Sequence, residues 1–381
     1  MSSVSATVIA PSFEGDFSPG EAFSLEAGGV LPSPTLHYAI YGRPNAAADN
    51  VIFVAHALSG SARVADWWPR LFSQEGLLDT DHNCVIGINL VGSCYGSTGP
   101  ASIDPASINP ASINPGTGDP YGPQFPLVSI RDNVRLQVRL LEELNIHRLK
   151  LVIGASIGGM QAIEWAIQFP QRVERVVSIG AAPLQAMGLG LNHLQRQMIQ
   201  LDPAWKGGRY LPGQPPRQGL ALARALAVCT YKSAELFEHR FARKPDRGGE
   251  DPWASFHEQG QGLSGPRFDI AGYLDYQGER FVERFDANAY LAITRMMDTF
   301  DPARGYASAE AAFRRIEAEV MLVGISSDWL FPAAQIAEMA ASMLQAGVRC
   351  DHRELVSSHG HDAFLAEPDE LARLIRPFCL Q

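Results

Sequence analysis

The sequence lacks the features of a disulfide scaffold or a zinc module. Its 381 residues include five cysteines, which are odd in number, scattered and never spaced as Cys-x-x-Cys. Disulfide-rich folds and zinc sites depend on cysteines paired at short spacing. We therefore expect no disulfide framework, no metal site and a reducing compartment, for which the cytoplasm is the simplest prediction.

A membrane span and a basic excess are also lacking. The most apolar long window, residues 151–169, contains Ser156, Gln161 and Glu164, which is typical of a buried strand followed by a helix. The first residues carry no Lys or Arg before a short apolar stretch, so no signal peptide is expected. Lys and Arg total 31 against 41 Asp and Glu, a formal net charge of −10. This balance disfavours nucleic acid and anionic membrane surfaces as partners.

The composition that is present is that of a globular α/β protein. Hydrophobic residues make up 46% of the chain and charged residues 19%, which excludes disordered, collagen-like and coiled-coil chains. Short β-branched runs, typical of strands covered on both faces, alternate with helical patterns. The runs predicted as strands are 51–56, 84–90, 149–155, 174–182, 319–326 and 351–356. We predict a mostly parallel sheet flanked by helices, with an antiparallel hairpin of residues 22–28 and 35–42 at one edge.

The alternation of strands and helices stops between residues 186 and 300. Helical patterns there cover 191–201, 217–230 and 286–299, and no strand pattern is convincing. We predict a helical cap at 186–300, inserted into a catalytic domain formed by 1–185 and 301–381. Residues 191–247 hold ten basic and four acidic residues. This segment is either a solvated basic face or a partner for a polyanionic ligand.

A low-complexity segment at residues 101–115 repeats the unit Ala-Ser-Ile-(Asp/Asn)-Pro three times. Proline in every unit excludes a helix or an inner strand. We predict a surface loop lengthened by duplication, with no chemistry in the extra copies.

The strongest chemical motif is Gly-Ala-Ser-Ile-Gly at residues 154–158. It lies between a strand pattern and a helical pattern, which is the context of the nucleophile elbow of α/β hydrolases. Such a turn exposes the Ser156 hydroxyl at the carboxyl edge of the sheet. It also directs the backbone N–H of Ile157, at a helix start, toward a developing oxyanion.

A serine nucleophile needs a general base that is oriented by a carboxylate. The α/β-hydrolase order is serine, acid, histidine. Asp328 follows the predicted strand 319–326, and His361 follows the predicted strand 351–356. His359 competes with His361 for the role of base, but the helix-like residues after position 361 favour His361.

The second oxyanion donor is expected from the loop that follows the predicted strand 51–56. The backbone N–H of Leu58 is the candidate. His56, at the end of the same strand, has the chemistry of a base, but a structural histidine with satisfied hydrogen bonds is the favoured interpretation.

Together these motifs resemble the homoserine O-acetyltransferase family of the α/β-hydrolase superfamily. The resemblance spans about residues 20–375 and is carried by HALSGSARVADWW, LDTDHNCVIGINLVGSCYGSTGPASI, GDPYGPQFPLVSIRD, GASIGGMQAIEWA, NHLQRQMI and SSHGHDAFL. It implies the α/β-hydrolase fold and transfer of an acyl group from acyl-CoA to the hydroxyl of homoserine, in methionine biosynthesis. Acyl-CoA is then a co-substrate, no further cofactor is implied, and a homodimer formed through the cap is expected.

The resemblance also implies roles for individual residues. Ser156 becomes the nucleophile, Asp328 the triad acid and His361 the base of a ping-pong cycle. Arg196 matches the substrate-binding arginine, which suits a carboxylate, and Asp362 matches the acid associated with the amino-acid substrate. The alternatives are a solvent-facing cap residue for Arg196 and a helix N-terminal acid for Asp362.

Two departures from the family pattern keep alternatives open. The elbow reads GASIGG where the family commonly has GGSMGG, and the loop at 101–115 is triplicated. A succinyl-CoA donor or a serine acceptor therefore stays open, as does an esterase or thioesterase using the same triad. A non-catalytic binding protein would be expected to have lost a triad residue, and none is missing.

Overall fold

The computed structural model of the chain describes residues 9–72, 77–100, 112–114, 116–210, 213–246 and 268–379. Eight strands of these residues form one sheet in the order β1-β4-β6-β5-β7-β8-β9-β10. Their bounds are β1 Phe13–Phe17, β4 Leu36–Tyr41, β5 Val51–Ala55, β6 Cys84–Ile88, β7 Leu149–Ala155, β8 Val173–Ile179, β9 Glu319–Ile325 and β10 Cys350–Leu355. The short strands β2 (Phe23–Ser24) and β3 (Val30–Leu31) pair with each other in a separate sheet.

The six predicted strands form the parallel part of the sheet. β6, β5, β7, β8, β9 and β10 pair in parallel along this row, and β5 and β6 are buried at every position. Strands covered on both faces read as continuous apolar runs, which is why the sequence reveals them. The predicted α/β fold with a mostly parallel sheet is confirmed.

The predicted edge hairpin is wrong. β4 pairs antiparallel with β1, from Phe13 opposite Ile40 to Phe17 opposite Leu36, and with β6 on its other side. The 22–28 segment contributes only β2, outside the main sheet. β1 carries two acids and a glycine in five largely exposed residues, so it has no apolar pattern by which it could be recognised.

Helices cover both faces of the sheet. Their bounds are α1 Val64–Trp67, α2 Ile130–Glu143, α3 Ile157–Gln168, α4 Ala186–Leu201, α5 Arg217–Tyr231, α6 Ala234–Arg240, α7 Asp269–Val282, α8 Ala287–Asp298, α9 Ala309–Phe313, α10 Ala333–Gln345, α11 Ala363–Ala366 and α12 Pro368–Cys379. Successive residues of β5 alternate between two buried clusters: Phe53 packs with α2, α3 and α10, while Ile52 and Val54 pack with α1 and α12. This period of two is that of a strand buried on both faces.

Helices α4 to α8 lie within the predicted cap. Residues 211–212 and 247–267 lie outside the described part of the chain, and the rest of 186–300 contains no strand. Ile199, Phe281 and Ile293 belong to the same buried cluster as one face of the sheet. Because the cap and the sheet share this core, the division at 186 and 300 stays a prediction.

Three further sequence predictions concern the cysteines, membrane-spanning helices and the repeat at residues 101–115. All five cysteines are free thiols. None of the described helices combines the length and apolarity needed to cross a membrane. Residues 101–111 and 115 of the repeat lie outside the described part of the chain. In the last copy, the buried Ser112 hydroxyl accepts a hydrogen bond from the Gly99 N–H at 3.0 Å.

Candidate active site

Ser156 stands on a strained turn between β7 and α3. Its φ of 58° and ψ of −127° lie in a region that residues with side chains rarely adopt. Its N–H donates to the Ile179 carbonyl at 2.9 Å, which ties the turn to the end of β8. Strain of this kind occurs where function requires a fixed side-chain direction, and it is the conformation of a nucleophile elbow.

The glycines of the elbow are required by close backbone approach. A Cβ at Gly158 would lie 2.1 Å from the Ala55 carbonyl oxygen, and one at Gly154 would lie 2.3 Å from the Gly158 carbonyl carbon. No side chain fits at either position, because β5, β7 and α3 meet there. The Gly-x-Ser-x-Gly pattern is therefore a consequence of packing around Ser156.

Asp328 and His361 form a buried pair. Nδ1 of His361 lies 2.6 Å from Oδ2 of Asp328. The other carboxylate oxygen, Oδ1, accepts the backbone N–H groups of Leu330 at 2.9 Å and Phe331 at 3.0 Å. This carboxylate is therefore held as an acceptor on both oxygens, and it directs the His361 proton to Nδ1.

The remaining nitrogen of His361, Nε2, is buried and has no hydrogen-bond partner among the described residues. The imidazole lies between the rings of Tyr231, Phe331 and Phe364, at centroid distances of 5.8, 5.3 and 5.8 Å. Burial disfavours its charged form, but attraction to Asp328 outweighs burial and raises the pKa of His361 above its ordinary 6.5. His361 thus has a fixed tautomer and a free nitrogen.

The end of β8 lies close to each of the three predicted triad residues. Gly180 follows Ile179, whose carbonyl binds the Ser156 N–H. A Cβ at Gly180 would lie 3.4 Å from Asp328 Oδ2 and 3.5 Å from the His361 ring. The strand ends therefore converge at this edge of the sheet, as the sequence order predicts.

The contacts of His56 and His359 differ from those of a histidine base paired with Asp328. His56 is fully buried, with Nδ1 2.7 Å from the Ala57 carbonyl and Nε2 accepting the Leu90 N–H at 3.1 Å. Burial lowers the pKa of His56 to about 4, so its interpretation as a neutral structural histidine is confirmed. His359 contacts Glu367 at 3.9 Å and not Asp328.

Two backbone N–H groups are available as oxyanion donors. Those of Leu58 and Ile157 donate to no acceptor among the described residues, and both residues are buried. The loop of Leu58 is held by Arg284, which follows α7 and donates to the Ser59 carbonyl at 3.0 Å and to the Tyr95 hydroxyl at 2.7 Å. Preorganised donors of this kind stabilise a developing negative charge.

The two predicted substrate-binding residues already have protein partners. Nη2 of Arg196 lies 2.6 Å from Oδ2 of Asp298, and Arg196 lines a cavity that none of the triad residues lines. Asp362 lies beside His361, but its Oδ2 is 2.8 Å from Nζ of Lys232. An acceptor ammonium at Asp362 must therefore compete with the ammonium of Lys232.

Sequence reasoning missed Arg224. Its guanidinium carbon lies 5.5 Å from the centre of the Tyr231 ring and 4.9 Å from that of Phe281, and Tyr231 in turn contacts His361. No carboxylate of the described residues pairs with Arg224, unlike Arg196. In the sequence Arg224 looks like a polar residue on an amphipathic helix, and only the packing of α5 brings it near the site.

The comparisons with known proteins agree with this geometry. The family model for the alpha/beta hydrolase fold matches residues 50–368, so fold and site define an α/β hydrolase. Homoserine O-acetyltransferase of Chlorobium chlorochromatii is 40% identical over 363 residues, covering 95% of this chain and 94% of the relative. That of Symbiobacterium thermophilum is 42% identical over 372 residues, covering 95% and 92%. The chain belongs to the homoserine O-acetyltransferase family.

The similar solved structures include both a homoserine O-acetyltransferase and an esterase. The crystal structure of homoserine O-acetyltransferase from Bacillus anthracis matches with a TM-score of 0.85 at 25% identity, covering 97% of this chain and 98% of the other. Esterase E22 matches with a TM-score of 0.83 at 26% identity, covering 96% and 99%. Acyl transfer to an alcohol and to water therefore occur on closely similar folds.

Proposed function

We propose that this enzyme transfers an acetyl group from acetyl-CoA to the hydroxyl of L-homoserine through an acyl-serine intermediate. The observation that carries the proposal is the buried Asp328–His361 pair beside the strained Ser156 turn, in a chain 40% identical to homoserine O-acetyltransferases over nearly its full length. A serine with this partner set is suited to acyl transfer.

In the first half of the proposed cycle, Nε2 of His361 takes the proton of Ser156 as Oγ attacks the thioester carbonyl. The N–H groups of Ile157 and Leu58 stabilise the oxyanion. The carbon–sulfur bond then breaks, and the CoA sulfur leaves with the proton from His361. The product of this half is an acyl ester on Ser156.

In the second half, homoserine takes the place of CoA. Nε2 of His361 removes the proton of the homoserine hydroxyl, whose oxygen attacks the acyl carbonyl. Collapse of the oxyanion returns the proton to Ser156 and releases the O-acetyl ester. Water is a competing acceptor at far higher concentration, so the burial of Ser156 and His361 favours transfer over hydrolysis.

The charges around His361 support an amino-acid acceptor. Arg224 is a cation without a carboxylate partner among the described residues and lies one aromatic ring from His361. We propose that Arg224, and not the ion-paired Arg196, binds the acceptor carboxylate as a bidentate partner. Asp362 remains the proposed partner of the ammonium, in exchange with Lys232.

Replacing Arg224 by Ala is expected to raise KM for homoserine about tenfold or more, which is the loss of one charge-assisted interaction. Arg196→Ala is the matched control, and we expect it to leave KM for homoserine within about twofold. Steady-state kinetics at saturating acetyl-CoA measures both. The reverse ranking would restore Arg196 as the carboxylate partner.

The proposed reaction is tested by following release of free CoA thiol with the purified enzyme. Acetyl-CoA and succinyl-CoA are each supplied with homoserine, serine or water alone, and the products are identified by mass. With acetyl-CoA alone we expect release of about one equivalent of thiol per enzyme as Ser156 is acylated, and fast continuous release only when homoserine is present. Preference for succinyl-CoA or serine would change the assigned substrate, and equally fast release without any amino acid would support an esterase or thioesterase.

The assembly and the cellular setting are proposals of the same kind. Met187, Leu194 and Leu201 recur every seven residues along α4 and are exposed, which is the spacing of a helix-pairing stripe. We propose that α4 pairs with its copy in a homodimer, which sedimentation equilibrium tests against a monomer mass. The five free thiols favour a reducing compartment such as the cytoplasm, and the reaction belongs to methionine biosynthesis.

A further inference from the structure

A cavity of about 350 Å³ lies between α4, α8 and the loop around residues 122–125. Its wall includes Arg196 and Gln197 from α4, Asn288 and Arg295 from α8, and Trp205. Ser156, Asp328 and His361 do not line it. The cavity is therefore a pocket of its own, formed where the cap meets a loop of the sheet domain.

The charge in this cavity is only partly neutralised. Nη2 of Arg196 pairs with Asp298, but its Nη1 is buried and has no hydrogen-bond partner among the described residues. Arg295 is exposed and pairs with no described carboxylate. A buried guanidinium nitrogen without an acceptor is unfavourable. The two arginines and the single carboxylate of Asp298 leave a net positive charge at the cavity.

The polar wall around these arginines is held in place. Trp205 Nε1 donates to Oδ1 of Asn288 at 3.1 Å, and Nδ2 of Asn288 donates to the Gly208 carbonyl at 2.9 Å. Gln197 Nε2 donates to Oε1 of Gln200 at 3.0 Å at the exposed side of the cavity. Fixed polar groups around a cationic centre provide a preorganised setting for an anion.

The two helices that form this cavity also face the site. Gln195 and Tyr290, on the neighbouring sides of α4 and α8, are hydrogen-bonded to each other. Tyr290 interacts with Tyr231, whose ring contacts His361. The cavity thus lies on the other side of the α4–α8 pair from the His361 imidazole.

We propose that this cavity binds a phosphate group through Arg196 and Arg295. A guanidinium matches the geometry of phosphate, and two arginines in one cavity wall with only one paired carboxylate favour a dianion. Two sources of the group share this chemistry: the nucleotide end of acyl-CoA, and free inorganic phosphate. The assignment to acyl-CoA rests on the proposed function, because the cavity would then hold the nucleotide end of the acyl donor.

The test measures binding and not turnover, so it does not depend on the reaction being assigned correctly. Isothermal titration calorimetry of the full chain uses CoA, pantetheine and inorganic phosphate as separate probes. Arg295→Gln removes an exposed charge with little risk to folding. Arg280→Gln is the matched control, because Arg280 is an exposed cap arginine paired with Glu283 outside the cavity.

We expect Arg295→Gln to weaken CoA binding about tenfold, with pantetheine binding and the Arg280→Gln variant unchanged. Weaker binding of inorganic phosphate with unchanged CoA binding would support the phosphate site and assign it to the free ion. If Arg295→Gln and Arg196→Gln, both folded by circular dichroism, bound CoA and phosphate as the unmodified chain does, the proposal would be overturned.

Discussion

Substitution of Ser156 by Ala is expected to lower kcat for acyl transfer by at least about 10⁴-fold, which is the range found when a serine nucleophile is removed. The proposed cycle passes through an ester on this one oxygen, and Ala offers no atom to form it. Ala fills the same small space in the turn, so binding of both substrates should be retained. The measurement is single-turnover release of CoA thiol.

Two controls separate this loss from a folding defect. The thermal unfolding midpoint of Ser156→Ala should stay close to that of the unmodified chain, and CoA binding by calorimetry should be unchanged. Transfer at more than about a hundredth of the original rate in a folded variant would contradict a covalent role for Ser156. A direct attack of homoserine on acyl-CoA would then be the better mechanism.

Substitution of Asp328 by Asn is expected to lower kcat about 10⁴-fold, although the residue touches no substrate. Oδ1 of Asp328 accepts two backbone N–H groups, those of Leu330 and Phe331. The amide oxygen of Asn must take this position, which turns the amide NH₂ toward Nδ1 of His361. Nδ1 then becomes an acceptor, its proton moves to Nε2, and Nε2 can no longer take a proton from Ser156.

The pH profile provides a readout that a folding defect would not imitate. His361 works as a base only when neutral, and Asp328 holds its pKa above 6.5 against the effect of burial. The acid limb of kcat/KM should therefore lie above pH 6.5 and move to lower pH in Asp328→Asn, where Asp328 no longer opposes the effect of burial on the pKa of His361. His359→Gln is the control and should leave the limb unchanged. If the acid limb of the kcat/KM profile stayed in place in Asp328→Asn, Asp328 would not be the residue that raises the pKa of the catalytic base.

The raised pKa of His361 also makes the free energy of unfolding depend on pH. A histidine whose pKa is raised in the folded state stabilises it below its unfolded pKa of about 6.5. That contribution is lost as the pH rises through the folded pKa. Activity and this part of the stability therefore change in opposite directions across the same pH window.

The central sheet could be predicted because its strands are covered on both faces. The run 149–155 coincides with β7, and the bounds of the other runs lie within three residues of those of their strands. β1 could not be predicted, because an exposed edge strand with two acids buries too little apolar surface to show a pattern. Its pairing with β4 is decided by tertiary structure.

The candidate site also contains residues that the sequence predicts and residues that it does not. Ser156, Asp328 and His361 follow strands at the sheet edge, so their order and context in the sequence indicate where they meet. Arg224 and the Lys232–Asp362 pair depend on how the cap helices are rotated and packed, which helical periodicity does not specify. The ion pair of Arg196 with Asp298 has the same origin.

The most direct measurement of the central claim is intact-protein mass spectrometry after mixing the enzyme with acetyl-CoA in the absence of acceptor. We predict a gain of one acetyl group, located on the peptide that carries Ser156 and absent from Ser156→Ala. Addition of L-homoserine should discharge it to O-acetylhomoserine faster than water does. Transfer that proceeds with no acetylated enzyme, or an acetyl group on another residue, would contradict the acyl-Ser156 mechanism.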